Sequence, residues 1–310
     1  MADFSKDFQI AYDDARDACA IRFRCFDTPN SVTVFGPVGK DADVEGVLLE
    51  VRRMCLEFHR LWSFSFPASD IARINEPCEH VQVDMRTALL ISSMKLFRET
   101  EPAFDFTVGP VSFVWKRAER VPSDEELEEA LSHVGAGKVS VVGDVVEKAD
   151  PLVQVDIGGA AKGFVADSVA AYLRSAGVAS ADIDLGGNLF MVGEHPAGRP
   201  WRVSVRVPEG VSAKAPIVEV RNQSVVTSGS YERFVEIGGK RYQHIVDART
   251  GWPSDSDIIS ATVVSASSLQ ADMLATTTLL AGSSEFNALT ARHPEARFIA
   301  ITADGAVLSD

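Results

Sequence analysis

Only four cysteines occur in the 310 residues, Cys19, Cys25, Cys55 and Cys78, and none has C-x-x-C spacing. That removes the usual zinc motifs and leaves core thiols of a reducing compartment as the simpler reading. Runs of lysine or arginine are missing as well. The 30 basic against 44 acidic side chains give a formal charge of −14, a field that repels phosphate backbones and anionic lipid. Nucleic acid is therefore not an expected partner. No apolar stretch has membrane-spanning length, so membrane insertion is not expected. The opening MADFSKDFQIAYDDARDA lacks the basic region and apolar run of a secretory signal. As it stands the sequence reads as cytoplasmic, and as exported if a leader has been removed. Repeats, low-complexity tracts and Pro- or Ser-rich linkers are absent too, so no clean domain boundary is marked.

What remains is an ordinary globular composition, 46% hydrophobic and 24% charged, in a chain long enough for a large core. Residues 20–35 read as a strand with a polar corner at Asp27-Thr28-Pro29-Asn30. Apolar positions from Val44 to Trp62 fall at helical spacing. Ser69 reads as the N-cap of a short helix, 84–100 as another helix, and Ser123-Asp-Glu-Glu as a capping box opening a helix to Val134. Gly143-Asp144 reads as a hairpin turn. Beyond Pro151 the pattern changes to short strands over 153–157, 181–185, 201–207, 217–221, 233–237, 241–246 and 258–265. Helices over 159–176 and 267–281 interrupt them, and a last hairpin turns at Asp304-Gly305. Strand runs with helices segregated between them imply an α+β fold.

Polar chemistry concentrates in Val225–Pro253, with a Thr-Ser-Gly-Ser turn, a Gly238-Gly239 hairpin, and His244 ahead of Asp247 and Arg249. His244 reads as a strand histidine, structural or acting as a general base beside Asp247. Four other segments are candidates. Asp105, in FDFTVGP, needs a partner if buried; it either ties down a turn or contacts a ligand. In VDIGGAAKGF a strand runs through glycines into a helix, exposing N–H groups where phosphate is favoured, with Lys162 adding charge; tight strand–helix packing is the alternative. Asp184-Leu-Gly186-Gly187-Asn188 is a turn or part of a site. Asp272 and Thr276, four apart, share a helix face whose oxygens suit Mg²⁺, or Asp272 simply favours the dipole. A cation there would also explain why Thr276, Thr277 and Thr278 interrupt an apolar helix.

In order, FDFTVGP, VDIGGAAKG, DIDLGGN, VVTSGSYERF…KRYQHIVDARTGWP and ADMLATT resemble the ApbE family of FAD:protein FMN transferases, from about Phe23 to the end of the chain. The resemblance implies an ApbE-like, T-fold-related α+β architecture of mixed sheets with packed helices, with residues 1–20 as an extension and 21–310 as the flavin transferase domain. It implies Mg²⁺-dependent transfer of FMN from FAD to a threonine of an acceptor protein, an FMN-binding domain of a redox complex or reductase, with release of AMP. Carried over by position, Asp272, Thr276 and the Ala161 carbonyl bind Mg²⁺. Ala103, Phe104, Asp105, Gly158, Phe164 and Val246 line the FAD site, and His244 is the best candidate for the base; the Gly158–Lys162 turn read above can hold the phosphate oxygens of this chemistry. Two departures stand out. Phe26-Asp27-Thr28 replaces the family's Met-Gly-Thr, putting Phe26 against the flavin. Ser65, between Phe64 and Phe66, stands where the family often stacks a tyrosine on the flavin ring. Some relatives that lack that tyrosine hydrolyse FAD to FMN and AMP, so a FAD pyrophosphatase is the alternative reading; a non-catalytic FAD-binding protein is a third.

Overall fold

The computed structural model describes residues 7–37, 43–231 and 234–310. In chain order the elements are β1 (Phe8–Asp13), β2 (Ala18–Cys25), β3 (Thr28–Phe35), α1 (Val44–Trp62), α2 (Asp70–Asn75), β4 (His80–Gln82), α3 (Met85–Thr100), α4 (Gly109–Lys116), α5 (Asp124–Ser132), β5 (Val139–Val142) and β6 (Val145–Lys148). There follow α6 (Ala161–Ser175), β7 (Ser180–Leu185), β8 (Asn188–Gly193), β9 (Trp201–Ser204), β10 (Ile217–Val220), β11 (Gln223–Gly229), β12 (Phe234–Ile237), β13 (Lys240–Gln243), β14 (Ile258–Ser265), α7 (Ser268–Arg292), β15 (Arg297–Thr302) and β16 (Val307–Ser309). Among the described residues no helix is long and apolar enough to cross a membrane.

Nine strands form the main sheet in the order β1-β2-β3-β7-β8-β11-β14-β15-β16, and every ladder in it is antiparallel. Alternation sends Ile21, Phe23 and Cys25 of β2, Val32 and Val34 of β3, and Ala181, Ile183 and Leu185 of β7 to one face. There α1, α6 and α7 cover them and close the principal core. The stripe Val47, Leu48, Val51, Cys55, Phe58 and Trp62 is the buried side of α1, and the Asp43 side chain caps its start. On the opposite face the β9–β10 hairpin covers part of the sheet through Trp201, Val203, Val218 and Val220 against Met191, Val225, Val264 and Ile299. A third cluster, Val111, Trp115, Leu127, Ala130, Ile237 and Val246, joins α4 and α5 to the separate β12–β13 hairpin.

This is the α+β arrangement expected from the sequence. Several elements differ in detail. The expected single strand over 20–35 is a hairpin whose turn is Phe26-Asp27, both at positive φ (54° and 59°), and the polar corner read at 27–30 belongs mostly to β3. Pro29 precedes the ladder to β7, which begins at Asn30, so its missing N–H removes no bond there. Within 1–20, the stretch read as an extension, β1 and the start of β2 are strands of the main sheet. Residues 153–157 form no strand. Instead the Asn75 amide acts as a neighbouring strand would, its Nδ2 donating to the Val155 carbonyl (3.0 Å) and its Oδ1 accepting from the Val155 N–H (2.7 Å). Gly109-Pro110 starts α4 rather than making a turn, proline being well suited to a first helical turn. Thr227-Ser228-Gly229 is the end of β11, not a turn, and pairs with β14. Gly186 and Gly187, both at positive φ, connect β7 to β8, and Asn188 is the first residue of β8, paired with Leu185. The last helix runs on to Arg292 past a break at Gly282 (φ 71°).

Helices α6 and α7 approach so closely that a Cβ on Gly163 would lie 2.4 Å from the Ser268 carbonyl oxygen and 2.7 Å from the Leu269 Cα. Those are backbone atoms that cannot rotate away. Gly163→Ala is therefore expected to destabilise the protein by about 2–3 kcal/mol, read as a lower midpoint in denaturant unfolding. An unchanged midpoint would show that the crossing is loose.

Candidate active site

Each of the two crossing helices caps the other. The residue before α6, Ala160, has no side chain able to cap it. The acceptor comes from α7, where Asp272 Oδ2 takes the Gly163 N–H at 2.9 Å. In return Asp167 of α6 accepts from the Ser268 N–H (2.7 Å), the Leu269 N–H (3.0 Å) and Ser267 Oγ (2.9 Å) at the start of α7. Each carboxylate thus meets free N–H groups and the positive end of a dipole. Burial pushes both carboxyls up. At Asp272 the Lys162 charge, the Gly163 N–H and the Asn188 amide oppose that push without overcoming it. Lys162 Nζ donates to the Gly186 carbonyl at 3.2 Å, which holds the ammonium near the β7–β8 turn.

Thr276 lies one turn beyond Asp272, its Oγ1 donating to the Asp272 carbonyl at 3.2 Å. Thr277 and Thr278 make the same backward bond to Met273 and Leu274, each at 2.8 Å. The helix itself thus satisfies these hydroxyls, and a cation is not needed to explain Thr277 and Thr278. Gly159 sits directly on this face. A Cβ there would be 2.8 Å from Thr276 Oγ1 and 3.3 Å from the Phe104 ring, so its absence keeps open the space between them. Among the described residues no group of three or more His, Cys, Asp or Glu could hold a metal. What this place offers is one buried, under-compensated carboxylate, a hydroxyl that keeps its lone pairs, and carbonyl oxygen at the start of α6. Such an oxygen set fits Mg²⁺, which takes one or two carboxylates and keeps much of its water.

Around this centre the other expected residues are placed unevenly. Phe104 is buried, edge-on to Phe97 at 5.3 Å, and Ala103 beside it is half-buried. Asp105 is committed to its own turn: Oδ1 accepts from the Thr107 N–H (2.9 Å) and Oγ1 (2.5 Å), and Oδ2 from Arg98 Nε (3.2 Å). The exposed Gly158 donates its N–H to Asp156 Oδ1 at 2.9 Å. Ala161 is the first residue of α6. Phe164 packs edge-on to Phe58 (5.9 Å) and Trp62 (5.6 Å) on α1, and Val246 is buried in the third cluster. Phe26, in its strained turn, meets His59 edge-on at 5.8 Å. Ser65 is exposed, 3.1 Å from Ser63 Oγ. Its neighbour Phe64 instead forms an edge pair with Phe113 (5.8 Å), with the Lys116 ammonium 5.5 and 5.2 Å from the two rings.

His244 lies at a bend just after β13, not within a strand, and is half-buried. The expected partner Asp247 is engaged elsewhere, by the Arg249 N–H (2.8 Å), Nε (3.0 Å) and Nη2 (2.7 Å). His244 also acts weakly on the charge of Asp156. Burial raises the pKa of that carboxyl, but Lys116 Nζ at 3.2 Å, the Gly158 N–H and His244 together hold it below the usual range. Lys116 and Asp167 were not singled out by sequence, and Asp156 and Asn188 stood inside candidate segments without a role of their own. Asp156 alone gave a signal, an aspartate two residues before a glycine N–H it can cap; the others depend on contacts between distant segments.

The chain matches the model of the ApbE family over residues 26–300. It is 34% identical over 276 residues to an FAD:protein FMN transferase of Treponema pallidum, covering 82% of this chain and 76% of the relative. To the FAD:protein FMN transferase of Vibrio cholerae serotype O1 it is 32% identical over 250 residues, covering 78% and 75%. Among solved structures it is similar to the flavin transferase ApbE from Vibrio cholerae (TM-score 0.85, 27% identity, 94% and 97% of the two chains). It is also similar to the ApbE protein from Thermotoga maritima (TM-score 0.85, 26% identity, 97% of each chain).

The Asp105 bonds make a local prediction. Asp105→Ala strands the buried Thr107 N–H and hydroxyl and is expected to lower stability by about 2–3 kcal/mol, whereas Asp105→Asn, which keeps an acceptor for Thr107, should lose roughly half as much. Equal losses in chemical denaturation would refute this turn-holding role.

Proposed function

Because the chain belongs to the ApbE family, we propose that it transfers the FMN half of FAD to a threonine hydroxyl of an acceptor protein, releasing AMP. Transferases are what its curated relatives are named. The observation that carries the reading onto this chain is the gathering of Asp272, Thr276, Gly159 and the Gly158–Gly163 turn at the crossing of α6 and α7. Asp272, Thr276 and the Ala161 carbonyl would hold Mg²⁺, which when bound spreads the negative charge of a diphosphate.

The protein's own groups have separate tasks. The Gly158–Gly159 backbone, open for want of side chains, lets phosphate oxygens approach the start of α6, and Lys162 adds a fixed positive charge beside them. His244 takes the proton of the acceptor hydroxyl as its oxygen bonds to the phosphorus of the FMN half. The P–O bond to the adenylate breaks with its electron pair, and AMP departs. Asp156, held ionised by Lys116 and the Gly158 N–H, favours the imidazolium that results. The pyrophosphatase alternative keeps the same groups with water as nucleophile. Ser65 is the residue that sustains it, since its short polar side chain presents no ring face to the flavin.

Incubation with FAD, Mg²⁺ and a flavoprotein domain bearing a target threonine should give a fluorescent acceptor band that survives denaturation, and EDTA should abolish it. Asp272→Ala is expected to lower the rate on the order of 100-fold or more. FMN and AMP without a labelled band would replace transfer by hydrolysis, and intact FAD would exclude both. Asp156→Asn should reduce kcat on the order of tenfold while FAD binding stays within a few-fold of wild type. A normal kcat would detach Asp156 from the chemistry.

A further inference from the structure

We propose that Glu101 is a positioning residue for the flavin site, acting through a buried clamp with Arg292 and His293. Its placement is costly in isolation. Glu101 is 1% exposed and is the C-cap of α3, its N–H bonded to the Phe97 carbonyl at 2.9 Å. A carboxylate is repelled by the negative end of a helix dipole, and burial removes its water. Compensation comes from the far end of α7. Arg292 donates Nε to Oε1 (2.8 Å) and Nη2 to Oε2 (2.7 Å), a two-point fork, and His293 Nε2 lies 2.7 Å from Oε1. Burial works to raise the Glu101 carboxyl, yet the bonds from Arg292 and His293 prevail and hold it below the usual carboxylate range.

The clamp grips the loop that carries Ala103, Phe104 and Asp105. The Phe104 N–H donates to the Glu101 carbonyl at 3.0 Å. Phe97 lies between the clamp and the loop, stacked with His293 (6.4 Å, 22°) on one side and edge-on to Phe104 (5.3 Å, 90°) on the other. The Phe104 ring in turn borders the gap at Gly159 and Thr276. Thr276 and Arg292 both belong to α7, whose break at Gly282 is fixed by Asp257 accepting from the Ser283 N–H at 2.9 Å. The segment Ser268–Arg292 therefore holds the Asp272/Thr276 face before its break at Gly282 and the loop opposite that face after it. Losing the clamp frees the loop while leaving Asp272 and Thr276 in place, so it weakens substrate binding rather than the chemical step. This inference rests on the flavin reading above.

The test uses the full chain, comparing wild type, Glu101→Gln and Arg292→Lys by flavin fluorescence titration with FAD, by KM and kcat for acceptor labelling, and by thermal unfolding. Glu101→Gln is expected to raise both the FAD Kd and KM about tenfold with kcat within about twofold, the pattern of a lost ground-state contact. Arg292→Lys keeps the charge but loses the fork and should give a smaller shift in the same direction; it carries the test if Glu101→Gln does not fold. A lowered Tm with wild-type FAD affinity and KM in the folded protein would make the clamp merely structural and overturn the proposal. Wild-type protein that fails to bind FAD would remove the flavin reading and this inference with it, an outcome distinct from variants that bind FAD as wild type does.

Discussion

Two aspartates exchanged between two helices hold the centre of this molecule together. Asp272 fills the empty cap of α6, and Asp167 takes the Ser268 and Leu269 N–H groups that the Ser267 cap of α7 leaves over, so neither helix can shift along the other without exposing N–H groups at both starts. The exchange also explains the absence of a side chain at Gly163, since the two backbones must come within contact distance for the carboxylates to reach. An arrangement satisfied on both sides is rigid, and the Asp272 carboxylate is presented to the proposed site in a fixed place. Its remaining oxygen is free of the capping duty.

The segment that leads into α6 is held with the same economy. Residues 153–157 belong to no sheet, yet Asn75 supplies the bonds of a missing neighbouring strand. Lys148, buried and without a carboxylate partner among its hydrogen bonds, donates to the carbonyls of Ile74, Glu76 and Val153. Burial lowers its pKa. The carbonyls at the end of α2 offer it the negative end of a dipole instead of a counter-ion. The irregular backbone that exposes Gly158 is thus anchored by side chains on one side, while on the other it meets the 106–108 backbone through the Asp156 N–H to Phe106 carbonyl bond (2.7 Å) and a single bridge between Gln154 and Val108.

Much of the architecture could be read from periodicity and caps. The span of α1, the N-cap at Ser69, the helix read over 84–100 and the capping box at Ser123 stand where local patterns place them, because a stripe of apolar residues and a short polar cap are properties of neighbouring residues. The failures have the opposite origin. Valines at 153 and 155 look like a strand, but whether a neighbour pairs with them depends on Asn75, about eighty residues away. Thr227-Ser228-Gly229 looks like a turn and is straightened by pairing with β14, where Thr227 and Thr262 share a hydroxyl bond of 2.8 Å. At the site, the clustering of Asp272, Thr276 and the glycine turn was legible through family likeness and helical spacing. The weak electrostatic link between His244 and Asp156 was not, since the two lie far apart in the sequence.

The wall that bears His244 is built differently from the rest. Hairpin β12–β13 pairs with no other strand of the described chain, and it rests on α4 and α5 through the small third cluster, separate from the principal core. Cooperative units of a protein open at free energies set by what each one buries. The hairpin itself buries only a few side chains around Val111, Trp115 and Ile237, while Ile245 just beyond it packs against the principal core. The molecule therefore sets a nine-stranded floor beside a wall held largely by its own small cluster, tied to the principal core through Ile245.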